Sequence, residues 1–321
     1  MELPAGLAIP ANFANSHLLL IAAGIGGFLL ITTALGLLLR CSVHYAKFGA
    51  AAIQQSISWG CWSLVLFASL LSGPPTILIA CGLISFLALR EFITLAPTRK
   101  ADHHTLFWAF FVILPLQYVI IGSGWYGMAA IFIPVWAFLF IAIRSTLTGD
   151  ATRYLQRAAT IQWGLMLCVY CLSHVPMLFL LNIPGFTDRH AELILWLILV
   201  VELGSVLQRV GSDTFGRHRI APRLSPRHTW EGFLAGGACA AGIGCALWWL
   251  TPYSPLQALA LAGGAVCLSF AGSVVMSAIK RDAGIKTMTG QGLGEKSILD
   301  RFDSLLFTAP MLFHLTRFYW T

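Results

Sequence analysis

Long apolar runs separated by short polar connections dominate this chain. Ten runs read as membrane-spanning helices, near residues 17–39, 56–72, 75–93, 105–122, 124–143, 159–181, 191–210, 233–251, 256–278 and 303–319. Several are short against the roughly 20 apolar residues that cross a hydrocarbon core, the second and the tenth being weakest. The connections fall into two kinds. Gly73-Pro74, Gly122-Ser-Gly124 and Thr251-Pro-Tyr-Ser-Pro255 are tight turns with no room for chemistry. The connections after the odd-numbered runs are longer and grow toward the C-terminus.

Basic residues follow the same alternation. The connections after runs one, three, five, seven and nine carry 18 of the 20 Lys and Arg residues, and the other side holds only Arg189 and Arg317. Positive charge stays cytoplasmic during insertion, so the pattern predicts that the long connections face the cytoplasm and both termini face away from it.

Composition agrees with a lipid solvent. Of 321 residues, 58% are hydrophobic and only 10% charged, and mean hydropathy is +0.79. A soluble domain is nearer half apolar and a quarter charged. The fold class expected is all-α, a polytopic integral membrane protein of about ten transmembrane helices. Residues 1–190 form an N-terminal set of helices, and residues 191–321 form a core with two cytoplasmic loops. The formal charge of +7 does not point to nucleic acid, because the basic residues alternate with the spans instead of forming a stripe. The eight cysteines lie mostly in apolar spans and read as small packing residues, Cys168 and Cys171 included. No basic segment precedes the first span, so a cleaved signal peptide is not expected.

Two loops could carry chemistry. The first, Phe215 to Phe233, has four arginines, two histidines and two hydroxyls, stiffened by Pro222 and Pro226. Arginine binds phosphate bidentately and stays charged at physiological pH. A positive loop on anionic headgroups is the plainer reading, while the prolines and a buried Trp230-Glu231 would favour an ordered loop. The second runs from Ser277 to Asp303. Lys280 and Arg281 end a span, Lys286 follows, and Gly290-Gln-Gly-Leu-Gly294 precedes Asp300 and Asp303. The two aspartates share a helix face and suit Mg²⁺, which takes oxygen ligands and leaves room for phosphate and water. They equally suit a helix start, where acids stabilise the N-terminus. Arg90-Glu91 reads as a pair snorkelling at a span end. Gln117, Gln162 and His174 are candidates for hydrogen bonds across helices. A transporter ranks last, because the two halves are unlike and the charge sits at one face.

At these residues the chain resembles the phosphatidate cytidylyltransferase (CDP-diacylglycerol synthase) family. The matching pieces are Gly216-Arg-His-Arg-Ile-Ala-Pro222, Leu224-Ser-Pro226, Thr229-Trp-Glu-Gly-Phe233, Ser277-x-x-Lys-Arg281, Ala283-Gly-Ile-Lys286 and Leu299-Asp-Arg-x-Asp303. The clear match spans roughly residues 200–317. The resemblance implies an enzyme of the bacterial inner membrane that joins CTP to phosphatidate at its cytoplasmic face, releasing pyrophosphate, with Mg²⁺ or Mn²⁺ as cofactor. Lys280, Arg281, Lys286 and Arg301 would hold phosphates. Arg217, Arg219, Ser225, Arg227, Thr229 and Ser277 would bind substrate, and Asp300 and Asp303 would hold the metal. Members commonly dimerise, so a homodimer is also implied.

The departures from the family pattern are specific. Thr287 stands where the family has aspartate, Gly294-Glu-Lys-Ser297 replaces a Gly-His-Gly-Gly piece, and Ser205 stands at another acidic position. Glu202, three residues before Ser205, and Glu295, in place of the histidine, could supply replacement carboxylates. Glu202 paired with Arg209 is the competing assignment. A catalytically weakened homologue that binds lipid or nucleotide is the second functional expectation.

Overall fold

Apolar length decides where the helices form, and proline decides where they bend. The computed structural model describes residues 72–95, 99–187, 189–222, 224–284 and 297–321, with scattered positions between 26 and 69; the side chains of Pro226 and Arg227 lie outside it. The expected spans from 75 to 319 each coincide with a helix: α1 (Pro74–Thr94), α2 (Lys100–Gly122), α3 (Tyr126–Thr146), α4 (Tyr154–Leu180), α5 (His190–Phe215), α6 (Trp230–Ala246), α7 (Pro255–Asp282) and α8 (Ile298–Trp320). The first two expected spans fall outside the described residues, apart from scattered helical positions. Among the described residues six helices, all but α6 and α8, are long and apolar enough to cross a membrane. The protein is an all-α, polytopic membrane protein.

Local chemistry sets the ends and bends. Pro255 opens α7 behind a capping box, in which Ser254 Oγ accepts from Gln257 N at 3.4 Å and Gln257 Oε1 accepts from Ser254 N at 2.9 Å. Wide π turns interrupt α2 at Ala109–Ile113, α3 at Phe132–Ala137 and α4 at Leu165–Cys171. Each lies around or just before a proline (Pro115, Pro134, Pro176), whose missing N–H and bulky ring disturb the ladder.

Between apolar helices in lipid, packing replaces the hydrophobic effect as the main adhesive. Helix α6 buries Gly232, Gly236, Ala240 and Gly244, one small residue per turn. A Cβ on Gly232 would lie 2.6 Å from Gln208 O, and one on Gly236 would lie 2.6 Å from Gln208 Cα. Only glycine lets the α6 backbone approach α5 this closely. Polar side chains then tie helices together. Gln117 Nε2 donates to Ala129 O (3.0 Å) and to Ser173 Oγ (3.2 Å), Gln162 Nε2 to Phe138 O (3.0 Å), and Trp196 Nε1 to Gly244 O (2.9 Å). His174 stays on its own helix, Nδ1 against Tyr170 O at 2.8 Å. One buried apolar cluster runs from Ile77 to Phe313, continuous across the expected boundary at 190/191.

The up-and-down order collects the C-termini of α1, α3, α5 and α7 and the N-termini of α2, α4, α6 and α8 at one end. Most of the described Lys and Arg lie there, and it is called the basic end below. Its only β structure among the described residues joins α5 to α6: β1 (Arg219–Ala221) pairs antiparallel with β2 (Ser225–Thr229), Arg219 opposite Thr229.

Candidate functional site

The basic end is assembled around the first turns of α8. Ser297 caps that helix, its Oγ accepting from Leu299 N at 3.1 Å. Asp300 follows in the first turn and meets Lys280 from the last turn of α7, Nζ to Oδ1 at 2.7 Å. Both side chains are about 15% exposed, at 15% and 14%. One turn on, Asp303 Oδ1 accepts from Ser304 Oγ at 3.0 Å, and Ser304 Oγ lies 3.2 Å from Ser205 Oγ of α5. Through Ser304 the Ser205 hydroxyl is linked to Asp303. Ser205 Oγ also donates to Val201 O at 3.1 Å.

Glu91 is the residue whose role sequence reasoning missed. It was expected to snorkel with Arg90. Instead it crosses from α1 to the start of α8, where its Oε2 accepts from Ser297 Oγ at 2.5 Å and from Leu299 N at 3.1 Å. A carboxylate there satisfies orphan donors and complements the positive helix end. It fixes the turn that carries Asp300.

The hairpin is the second element. Thr229 Oγ1 caps α6, accepting from Gly232 N at 3.2 Å and donating to Ser212 Oγ at 3.1 Å. Glu231 folds back onto the segment just before β1, accepting from His218 Nδ1 at 2.6 Å, Arg217 N at 3.0 Å and His218 N at 3.2 Å. The His218 ring and then the Arg217 amide hold its carboxyl well below the usual range, at about 2. Ser225 Oγ bonds His228 Nδ1 at 2.6 Å, and burial lowers the His228 imidazole. The segment is thus an ordered hairpin held by its own hydrogen bonds. The guanidinium-bearing side chains of Arg217 and Arg219 stand exposed. Trp230 corrects the expectation of a buried indole: it is 51% exposed.

The expected residues fare differently. Lys280, Asp300, Asp303 and Ser205 come together, and Arg281 lies exposed at the α7 end. Arg301 is buried, 8% exposed. The hydroxyls of Ser225, Thr229 and Ser277 are already engaged, the last with Ser273 O at 2.8 Å. Lys286, Thr287, Glu295 and the Arg227 side chain lie outside the described residues. Among the described residues no three His, Cys, Asp or Glu side chains converge as a metal-holding group, so Glu202 does not make a three-ligand centre there with Asp300 and Asp303.

Comparison with known proteins bears on this end of the molecule. A model of the cytidylyltransferase family matches residues 53–319. The chain is 35% identical to Uncharacterized protein YnbB of Escherichia coli over 297 residues, 90% of this chain and 95% of that one. It is 30% identical to a phosphatidate cytidylyltransferase of Aquifex aeolicus over 142 residues, covering 44% of this chain and 54% of the other. A phosphatidate cytidylyltransferase of Staphylococcus aureus is 32% identical over 122 residues, 37% and 46% of the two chains. The match thus spans about half the length of these two enzymes.

Proposed function

The chain belongs to the cytidylyltransferase family, and from that premise we propose that it transfers the cytidylyl group of CTP to phosphatidate at its basic end. A phosphate oxygen of phosphatidate attacks the α-phosphorus of CTP. The new P–O–P bond forms as the bond to the β-phosphate breaks, and pyrophosphate leaves with the electron pair. The attacking phosphate is already largely ionised at neutral pH, so no general base is needed. The demand is to bring two polyanions together and neutralise charge at the attacked phosphorus.

The observation that carries this reading is the Lys280–Asp300 pair at 2.7 Å beside the Asp303–Ser304–Ser205 chain. Lys280, held by Asp300, would serve as a cation for the incoming phosphates. Arg281 and the hairpin arginines Arg217 and Arg219 stand exposed around the same end and would hold the triphosphate. The donors fit a divalent ion that arrives with phosphate: two carboxylates and serine hydroxyls are hard oxygen ligands, and Mg²⁺ commonly takes only one or two carboxylates besides phosphate and water. Asp300 and Asp303 would hold it, and when bound it would supply neutralising charge. The bundle would lie in the inner membrane with the basic end cytoplasmic, where CTP is available.

A second reading has its own observation: Ser205 contributes a hydroxyl where the family pattern has an acid. In that reading the chain binds nucleotide or lipid with little turnover. Purified protein with radiolabelled CTP, phosphatidate and Mg²⁺ separates the two. Labelled CDP-diacylglycerol well above an Asp300→Asn control supports transfer, and label bound without product supports the second reading. Ser205→Asp adds a direct check: it should raise Mg²⁺-dependent product if the weakened acidic centre limits the rate.

A further inference from the structure

Ser205, Arg209 and Ser212 lie at i, i+4 and i+7, on one face of α5 near the basic end. The first and last are engaged. Ser205 Oγ meets Ser304 Oγ of α8 at 3.2 Å, next to Asp303. Ser212 Oγ accepts from Thr229 Oγ1 of the hairpin at 3.1 Å. Arg209 stands between these two contacts. It is exposed, and among the described residues it makes no hydrogen bond or ion pair. The Glu202–Arg209 pair considered from the sequence does not form.

The hairpin brings a second donor to the same place. His228 precedes Thr229, and its ring packs on Phe270 of α7 with centroids 5.2 Å apart. With Ser225 Oγ donating to Nδ1 at 2.6 Å, the ring proton sits on Nε2. Burial, and then the Arg209 guanidinium, lower the imidazole pKa, so Arg209 is near enough to act on it, and no acid offsets that charge. A guanidinium fork grips two oxygens of a phosphate, and the imidazole N–H can take another. A phosphate monoester presents three terminal oxygens, whereas a diester presents two.

The surroundings suit a lipid better than a soluble nucleotide. Val206 and Val210 flank Arg209 on α5, 51% and 53% exposed. Rings continue from Phe270 to Phe233 at 4.7 Å and on to Trp230 at 6.1 Å, an exposed indole at the headgroup level of a bilayer. Phe270 lies ten residues before Lys280 in the same helix, about 15 Å deeper along α7. A phosphate seated here is on the membrane side of Lys280.

We propose that Arg209 and His228 seat the phosphate monoester of the acceptor lipid, whose acyl chains leave past Val206 and Val210. The family resemblance assigns neither residue. Naming that lipid phosphatidate rests on the transfer reading, but the seat itself needs no turnover. Lys280 and Arg281 are then left to the triphosphate, and the two polyanions approach from opposite sides.

The test is native mass spectrometry of the full chain in mild detergent, without CTP or Mg²⁺, with equimolar phosphatidate and phosphatidylglycerol of matched chains. Phosphatidate should be retained in preference. Arg209→Gln, at an exposed position, should weaken that retention about tenfold. Arg209→Lys, which keeps the charge but not the fork, should recover part of it. His228→Phe, which keeps a ring against Phe270 but loses the N–H, should weaken it about threefold. CTP binding should not depend on Arg209. Equal retention of the two lipids would overturn the proposal, and so would phosphatidate retention unchanged in Arg209→Gln. Loss of CTP binding in that variant with phosphatidate still retained would reassign the pair to the nucleotide and overturn the lipid assignment. Arg209-dependent retention of phosphatidate with no product on adding CTP and Mg²⁺ would sink the transfer reading and leave this seat standing.

Discussion

Two ion pairs lie at the same end of this bundle and are built for different work. Arg157–Asp102 is closed: the arginine also reaches Asp150 and two carbonyls, and both partners are nearly inaccessible. Lys280–Asp300 is a single contact between a compact ammonium and one carboxylate oxygen, with both side chains partly open. Arginine's planar fork suits a fixed, many-bonded hub, whereas lysine is a point charge that can change partners. The difference separates a buried structural charge from a displaceable charge at the helix start that carries Asp300 and Asp303.

The largest effect should come from breaking the closed pair. Arg157→Gln leaves Asp102 buried without its counter-charge and should cost about 3–5 kcal/mol, read as loss of folded protein on heating in detergent. Replacing both partners, as Arg157→Met with Asp102→Leu, should recover much of that loss, because the uncompensated charge is then gone. Equal loss in the single and double variants would refute the account of the pair.

The open pair should behave in the opposite way. Asp300→Asn should leave stability within about 1 kcal/mol, as for a partly exposed pair. CTP-dependent product should fall roughly 10–100-fold, the range typical when a metal-site ligand or its partner is lost. If stability fell by several kcal/mol and activity did not fall, the two pairs would not differ in kind. Glu91→Ala lies between the extremes. It should cost about 1 kcal/mol of stability through the lost cap, with a fall in kcat and little change in KM, because Glu91 positions the turn and does not touch substrate. Glu91→Gln, which keeps an acceptor, should restore part of both.

The same contrast explains what the sequence could show. Apolar run length and the alternation of Lys and Arg are local, so the spans from 75 to 319 were legible to within a few residues. Motif spacing singled out Lys280 and Asp300, and the structure pairs them. Glu91 was not, since its partner Ser297 is 206 positions away and nothing local distinguishes a capping carboxylate from a snorkelling one. Ser277 looked available for substrate, but a hydroxyl in an apolar helix bonds its own backbone, here Ser273 O. Trp230 looked buried because indole is apolar, yet in a membrane protein a tryptophan at a helix start can face the interface.

The smallest effect concerns the hairpin, where a carboxylate is half-buried and not enclosed. Glu231 accepts from the amides of Arg217 and His218, and its carboxyl is drawn down to about 2 from an ordinary 4.5. A carboxyl depressed in the folded state adds stability that is fully present above its unfolded value and is lost as pH falls through the folded one. The hairpin should therefore hold unchanged from pH 8 to about 5 and loosen between about 4.5 and 2. Hydrogen exchange at the Arg217 and His218 amides, corrected for intrinsic rate, reads this directly: protection should drop in that window while α5 and α6 amides stay protected. Glu231→Gln should show weaker protection already at pH 7, with no further loss in that window. Were the two amides equally protected at pH 3 and pH 7, the hairpin would be held by its β1–β2 ladder and the Thr229 cap, and Glu231 would be free to meet substrate instead.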